Sequence, residues 1–136
     1  PTVGYKVREG VSGKTLVYIP DIGIADTERL SDELERIIPR IEGVDCLFFD
    51  GTFYRNNELI ELGALSKTSL ELGHIPIRSD DGVVGSMDIL KGVTVCRKIY
   101  THLNNTNPLV VYNSPERLEV EKEGFEVAED GMKIIL

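Results

Sequence analysis

Residues 97–108, with the sequence RKIYTHLNNTNP, place a strand-like run directly before an amide-rich turn. Ile99 and Tyr100 suit a pleated, half-buried strand, whereas the asparagines and Pro108 favour a turn. His102 therefore falls where the carboxyl end of a strand meets a loop. Open α/β sheets bind their ligands at such ends. A histidine at this position is either held by a backbone hydrogen bond or takes part in metal or proton chemistry.

The segments around this stretch predict one α/β domain over residues 1–136. Periodic apolar residues predict helices at residues 26–38, 57–65, 86–90 and 115–123, and Pro39 is expected to close the first of them. The first and last of these helices are expected to lie on the outer face of a mixed sheet, each with one apolar stripe. The strand-like segments are residues 3–8, 15–19, 44–49, 93–100 and 109–112, with a terminal hairpin at 125–136 that turns at residues 130–131.

Composition restricts the partners of this chain. The 136 residues include 23 acidic and 15 basic side chains, which give a net charge of −8 without a concentrated basic stripe. Nucleic-acid binding is therefore disfavoured, and no apolar run is long enough to span a membrane. Cys46 and Cys96 lie in apolar runs, which predicts buried, reduced thiols and a cytoplasmic location.

Four residues that could bind a metal fall at or just beyond predicted strand ends: Asp21, Asp50, His74 and His102. Imidazole and carboxylate together suit zinc, iron or manganese, and two histidines with one carboxylate are enough for a non-haem iron site. The residues converge if their strands end at one edge of the sheet. Otherwise they are scattered turn residues, and Asp50 in particular is either a turn or capping residue or a ligand.

Several motifs together carry a family resemblance. They are YIPD at 18–21, FDGTF at 49–53, LGH at 72–74, HLNNTNP at 102–108, SPER at 114–117 and GFEVAEDGM at 124–132. In this order the chain resembles the pyrroloquinoline quinone (PQQ) biosynthesis protein B family of the metallo-β-lactamase superfamily. The resemblance implies an αββα sandwich with a metal site at the sheet edges. It also implies the residue roles that follow.

By this resemblance Asp21 and His102 are metal ligands, and the metal is iron or zinc. Asp50 and His74 are expected to be catalytic residues of the same site. The side chains expected to bind substrate are those of three asparagines in one loop, Asn104, Asn105 and Asn107.

One motif of the superfamily is absent from these residues. The His-x-His-x-Asp-His loop, which supplies most of the metal ligands, cannot be present in a sequence with two histidines. We therefore expect the chain to be the C-terminal half of the fold. Alone it should bind metal weakly and be inactive, and its uncovered sheet face should associate with the N-terminal half or with a second copy.

The family resemblance also implies a reaction. It is the iron-dependent hydroxylation of the tyrosine ring of a cross-linked Glu-Tyr precursor, so the expected partner is a small peptide-derived PQQ precursor. A zinc-dependent metallohydrolase, of the phosphodiesterase or tRNA 3′-processing type, is the alternative enzyme. A PQQ carrier without catalytic activity is the third interpretation.

Overall fold

A five-stranded mixed sheet forms the centre of the computed structural model, which describes residues 3–22, 30–80 and 82–136. The strands lie side by side in chain order: β1 Tyr5–Arg8, β2 Thr15–Ile19, β3 Cys46–Asp50, β4 Arg97–Thr101 and β5 Phe125–Val127. β1 and β2 are antiparallel, as expected for the predicted hairpin. The pairs β2–β3, β3–β4 and β4–β5 are parallel. The predicted mixed sheet is confirmed.

Four helices accompany the sheet within the described ranges: α1 Leu30–Ile41, α2 Glu58–Glu61, α3 Ser86–Lys91 and α4 Pro115–Lys122. Short 3₁₀ turns occur at Leu70–Leu72 and Pro108–Val110. Ser114 caps α4 by accepting a hydrogen bond from the backbone N–H of Arg117, and Pro115 occupies the first helical position, as the sequence predicts. None of the described helices is long and apolar enough to cross a bilayer.

The main core lies on one face of the sheet. Side chains alternate between the two faces along a strand, so Val17, Leu47 and Phe49 point to the same side. There they pack with buried Ile41 and half-buried Ile37 from α1. Burial of this apolar surface is the main driving force that holds α1 against the sheet.

The opposite face of the sheet exposes large apolar side chains. Tyr5 is 61% exposed and Val7 58% exposed. The strand register places Tyr5 beside Tyr18, whose ring meets Phe48 edge-on with 5.9 Å between the centroids. Contiguous apolar surface of this kind is typical of a face that packs against another element.

Two predicted helices have different limits in the structure. α1 continues through Pro39 to Ile41, and the predicted start at Asp26 lies outside the described residues. Proline is tolerated there because it interrupts only the last turn, which the fully buried Ile41 anchors. The helix predicted for residues 57–65 is limited to Glu58–Glu61, since Leu62 and Leu65 are exposed and contribute no buried face.

Three predictions for the C-terminal part are wrong. Residues 109–112 are not a strand, because Asn107 caps a 3₁₀ turn there. The terminal hairpin is not formed by the described residues: β5 pairs in parallel with β4, and residues 128–136 form no further strand. The single apolar stripe of α4 is also wrong, because Leu118 is exposed whereas the buried positions are Arg117 and Val120.

The two cysteines differ in burial. Cys46 is buried in β3, but Cys96 is exposed, so the prediction that both are buried is wrong for Cys96. Cys96 lies just before β4, which begins at Arg97, and is therefore outside the covered part of the sheet. The cytoplasmic location inferred from these residues stays a prediction.

Gly85, just before α3, lies against the backbone of residues 77–79 and leaves no room for a side chain. A Cβ atom at this position would lie 2.6 Å from the backbone nitrogen of Ser79 and would also clash with the carbonyl oxygen of Ile77. Backbone atoms cannot rotate away, so we predict that Gly85→Ala lowers the free energy of unfolding by about 2–3 kcal/mol in urea titrations.

Gly92→Ala is the matched control at the other end of α3. Gly92 has a φ of −77°, and a Cβ atom there would lie 3.5 Å from its nearest neighbour. We expect a change within about 0.5 kcal/mol. Equal unfolding free energies for the two variants would contradict the steric argument.

Candidate metal centre

Three parallel strands end at the same edge of the sheet and carry three of the predicted site residues there. Asp21 follows β2, Asp50 is the last residue of β3, and His102 follows β4. The carboxyl ends of parallel neighbouring strands meet at one edge, which brings these distant positions together. His74 reaches the same edge from the loop between α2 and α3.

Asp50 is fully buried and accepts four hydrogen bonds. Its Oδ2 atom accepts from the backbone N–H of Ile22 at 3.1 Å and from Nδ1 of His74 at 2.7 Å. Its Oδ1 atom accepts from the backbone N–H and the hydroxyl of Thr52, at 2.9 and 2.6 Å. A buried carboxylate is costly unless it has such donors, so these bonds stabilise its charge.

His74 is held between its own loop and Asp50. Its backbone N–H donates to the carbonyl of Ser69 at 3.0 Å, and the Ser69 hydroxyl donates to the carbonyl of His74 at 2.7 Å. Burial alone would lower the pKa of His74. The hydrogen bond and charge of Asp50, with the charge of Asp21 3.7 Å away, outweigh burial and raise that pKa above 6.5.

His102 has an unusual backbone conformation. Its φ is +59°, in the left-handed region, which costs a residue with a side chain on the order of 1 kcal/mol or more. Its Nδ1 atom is 2.9 Å from the hydroxyl oxygen of Thr52. The backbone N–H of Asn104 donates to the carbonyl of Thr52 at 3.0 Å, so the loop on either side of Thr52 contacts the histidine loop.

Gly51 lets these two loops approach each other. A Cβ atom at Gly51 would lie 3.0 Å from both Cβ of Tyr100 and Cδ2 of Leu103. The backbone N–H of Gly51 donates to the carbonyl of Thr101 at 2.9 Å. A larger residue would push Asp50 and His102 apart, since each adjoins one of these two backbone segments.

The three side chains of Asp50, His74 and His102 can each offer one ligand atom, and these atoms all lie within 4.8 Å of one another. The rings of the two histidines are 5.9 Å apart. Asp21 adds a carboxylate with a half-exposed side chain beside His74. Two imidazoles with carboxylates are a donor set that fits zinc or iron. The structure thus brings together all four predicted residues, while their individual roles stay predictions.

The three asparagines of the histidine loop differ in environment. Asn107 is fully buried, and its amide donates to the carbonyl of Gly51 at 2.7 Å and accepts from the backbone N–H of Leu109 at 2.9 Å. Asn104 is half-buried and Asn105 is exposed. A substrate-binding role for the three stays a prediction, and the structure adds that Asn107 ties its loop to the loop of Gly51.

Two residues of the site were not singled out by the sequence. Thr52 lies in the FDGTF motif two positions after Asp50, a spacing at which a hydroxyl and a carboxylate commonly bond, and this signal could have identified it. Glu58 is buried and accepts from the backbone N–H of Tyr54 at 2.7 Å and from the hydroxyl of Thr106 at 2.6 Å. No sequence signal distinguished it from a surface charge in a helix.

The family model described as "Beta-lactamase superfamily domain" matches residues 1–103. The chain belongs to the beta-lactamase superfamily. The matched residues include Asp21, Asp50, His74 and His102, so the whole candidate centre lies within the superfamily domain.

Curated proteins with similar sequences share one name. Coenzyme PQQ synthesis protein B from Methylobacterium radiotolerans is 43% identical over 135 residues, which cover 99% of this chain and 41% of that protein. The protein of the same name from Pseudomonas putida is 37% identical over 134 residues, which cover 98% of this chain and 41% of the relative. The resemblance to this family is confirmed. The chain spans about two fifths of the length of these curated relatives.

A solved structure supports the same fold. The crystal structure of Zn²⁺-bound PqqB from Methylobacterium extorquens superposes with a TM-score of 0.83 at 35% identity, and the match covers all of this chain and 44% of the other. The predicted α/β, metallo-β-lactamase-like fold class is confirmed. Of the αββα sandwich, the described residues form one sheet with its helices.

The pKa of His74 provides a test of the site electrostatics. We predict that Asp50→Asn lowers it below the ordinary value of 6.5, because burial remains while the main hydrogen bond and charge are removed. Asp21→Asn should lower it by less, since that carboxylate is farther away. NMR titration of the imidazole protons measures both, and the chain has two histidines to assign.

The same interaction has a defined effect on stability. The pKa of His74 is higher in the folded than in the unfolded state. The stabilisation from its contact with Asp50 is therefore complete below pH 6.5, the ordinary pKa, and is lost as the pH rises through the folded-state pKa. Asp32→Asn, an exposed substitution in α1, is the control and should leave the pKa of His74 unchanged. A His74 pKa that is unaffected by Asp50→Asn would contradict the conclusion that Asp50 raises it.

Asn107 provides a second test. We predict that Asn107→Ala lowers the free energy of unfolding by about 2–3 kcal/mol, because the buried carbonyl of Gly51 and N–H of Leu109 lose a partner. Asn105→Ala, in the same loop but exposed, should change it by about 0.5 kcal/mol or less. Urea unfolding of both variants measures the difference, and equal values would show that the buried amide has no such role.

Proposed function

We propose that this chain carries part of the metal site of a protein that acts in PQQ synthesis. The convergence of two histidines and two carboxylates at one sheet edge carries the proposal. It occurs in a chain whose relatives, at 33–43% identity, are named coenzyme PQQ synthesis protein B. The superfamily membership supports the metal, and the names of the relatives support the pathway.

In this proposal Asp21 and His102 hold the metal. Both side chains are accessible: that of Asp21 is 49% exposed, and His102 is also exposed. The carboxylate of Asp50, in contrast, is buried. Iron bound there, with two electrons from an external reductant, would supply the activation of dioxygen needed to hydroxylate the tyrosine ring of a cross-linked Glu-Tyr precursor; one oxygen atom would enter the ring and the other would leave as water. The chain's own residues bind and orient that precursor and handle its protons.

His74 is the residue that moves a proton. Its Nδ1–H is fixed by Asp50, and its raised pKa increases the fraction that also carries a proton on Nε2 near neutral pH. This proton can be given to an oxygen of the substrate. Asn104 and Asn105 lie on the loop that follows His102, where their amides can bind the polar groups of a peptide-derived precursor.

A zinc-dependent hydrolase is the second candidate. The observation that favours it is the metal of the similar crystal structure, which is that of a Zn²⁺-bound PqqB. In a hydrolase the metal would supply a hydroxide nucleophile, and His74 would give its proton to the leaving group. Incorporation of labelled oxygen from O₂ into the product distinguishes hydroxylation from hydrolysis.

We further propose that the apolar sheet face packs against the second sheet of the sandwich. Tyr5, Val7 and Tyr18 are large, exposed and contiguous with half-buried Phe48. The curated relatives are longer than this chain. Because the His-x-His-x-Asp-His loop of the superfamily is absent from these residues, we propose that they form the C-terminal half of the complete fold. Without that second layer, the same face would favour association between copies of this chain.

A chimera tests the function. The matching segment of the Methylobacterium radiotolerans relative is replaced by this chain and expressed in a strain that lacks its own coenzyme PQQ synthesis protein B. We expect the chimera to restore PQQ production. We expect His102→Ala in the chimera to reduce production at least tenfold, since a metal ligand is removed.

Asp32→Ala is the control for the chimera, because it changes an exposed carboxylate of α1. It should produce as much PQQ as the unmodified chimera. A chimera that accumulates in folded form without producing PQQ would contradict the proposed pathway. Full production by His102→Ala would contradict the proposed metal site.

A further inference from the structure

The hydroxyl of Thr52 lies between a carboxylate and an imidazole. Its oxygen is 2.6 Å from Oδ1 of Asp50 and 2.9 Å from Nδ1 of His102. A threonine hydroxyl has one hydrogen to donate and two lone pairs to accept with. A carboxylate can only accept, so the hydroxyl hydrogen points to Asp50. The short distance is typical of a hydroxyl that donates to a charged oxygen.

The direction of this bond determines what Thr52 offers to His102. Its hydrogen is used, so the hydroxyl oxygen presents a lone pair to Nδ1. The 2.9 Å contact is then a hydrogen bond only if Nδ1 carries the hydrogen. A neutral imidazole has one N–H, and with that hydrogen on Nδ1 its Nε2 atom keeps a free lone pair.

We propose that Asp50, acting through Thr52, holds His102 in the Nδ1–H tautomer and so leaves Nε2 free to bind the metal. The inference rests on the proposed function in that His102 is the metal ligand. It gives Thr52 a positioning role that its place in the FDGTF motif does not by itself reveal.

Asp50 is better suited to orienting side chains than to binding the metal itself. A carboxylate has about four acceptor positions, and here four donors use them: the backbone N–H groups of Ile22 and Thr52, the Thr52 hydroxyl and Nδ1 of His74. It therefore lies within reach of both histidines and yet has no free lone pair. One buried carboxylate orients His74 directly and His102 through a hydroxyl.

The backbone keeps this arrangement in place. Thr52 is buried, its N–H is bonded to Asp50, and its carbonyl accepts from Asn104 N–H at 3.0 Å and from the amide of Asn107 at 3.4 Å. His102 is fixed in the left-handed conformation on the other side of the contact. The two partners are thus held by separate backbone segments, which makes the 2.9 Å bond a defined contact between them.

The test removes the hydroxyl of Thr52 while keeping the shape of its side chain. Thr52→Val removes the hydroxyl with little change in volume, and Thr52→Ser is the matched control that retains it. The first readout is the ¹⁵N chemical shifts of the His102 imidazole in metal-free protein. The spectra are recorded at a pH about two units above the ordinary histidine pKa of about 6.5. The two histidines are assigned with His74→Gln.

We expect Nδ1–H at His102 in the wild type and in Thr52→Ser, and a mixture of tautomers in Thr52→Val. The second readout is Zn²⁺ titration of the purified chimera with the Methylobacterium radiotolerans relative, for which we expect at least a tenfold loss of affinity in Thr52→Val and unmodified affinity in Thr52→Ser. A far-UV circular dichroism spectrum of Thr52→Val that matches the wild type shows that the variant is folded.

Two results would overturn the inference. One is an Nε2–H tautomer at His102 in the wild type. The other is a Thr52→Val variant that keeps the Nδ1–H tautomer, whatever its Zn²⁺ affinity, since any loss would then be structural. An Nδ1–H tautomer that depends on Thr52, together with a chimera that binds no Zn²⁺, would support the tautomer inference and overturn the proposed metal at His102.

Discussion

The buried carboxylate of Asp50 is the constraint on which the site depends. A charge without contact with water needs donors around it, and this one draws them from three parts of the chain: Ile22 after β2, Thr52 after β3 and His74 from the loop between α2 and α3. Those donors are also what places His74 and, through Thr52, His102. The bonds that keep the charge stable in the interior therefore build the candidate metal centre as well.

The sheet makes this possible because β2, β3 and β4 are parallel. Their carboxyl ends deliver Asp21, Asp50 and His102 to one edge, and the core on one face holds the strands in register. Chemistry at such an edge is built from loops on a rigid base. The opposite face, with its exposed aromatic side chains, is available to pack against another layer.

The sequence predicted the parts of this arrangement that depend on local signals. The strand before His102, the apolar run before Asp50 and the cap at Ser114 are local patterns, and so the fold class and the four edge residues could be inferred from them. Contacts between distant segments leave no such pattern. Glu58 looks like a helix-surface charge until Thr106 is seen beside it. The parallel pairing of β5 with β4 was missed because a turn at residues 130–131 suggests a hairpin equally well.

The left-handed backbone of His102 has a consequence for how the protein evolves. Glycine or asparagine would occupy that conformation at lower cost, so a random search for stability alone would favour replacing the histidine. Selection for stability and selection for chemistry therefore act in opposite directions at this one position. Where the imidazole is no longer needed, we expect position 102 to drift toward a residue that suits the backbone, leaving a more stable protein.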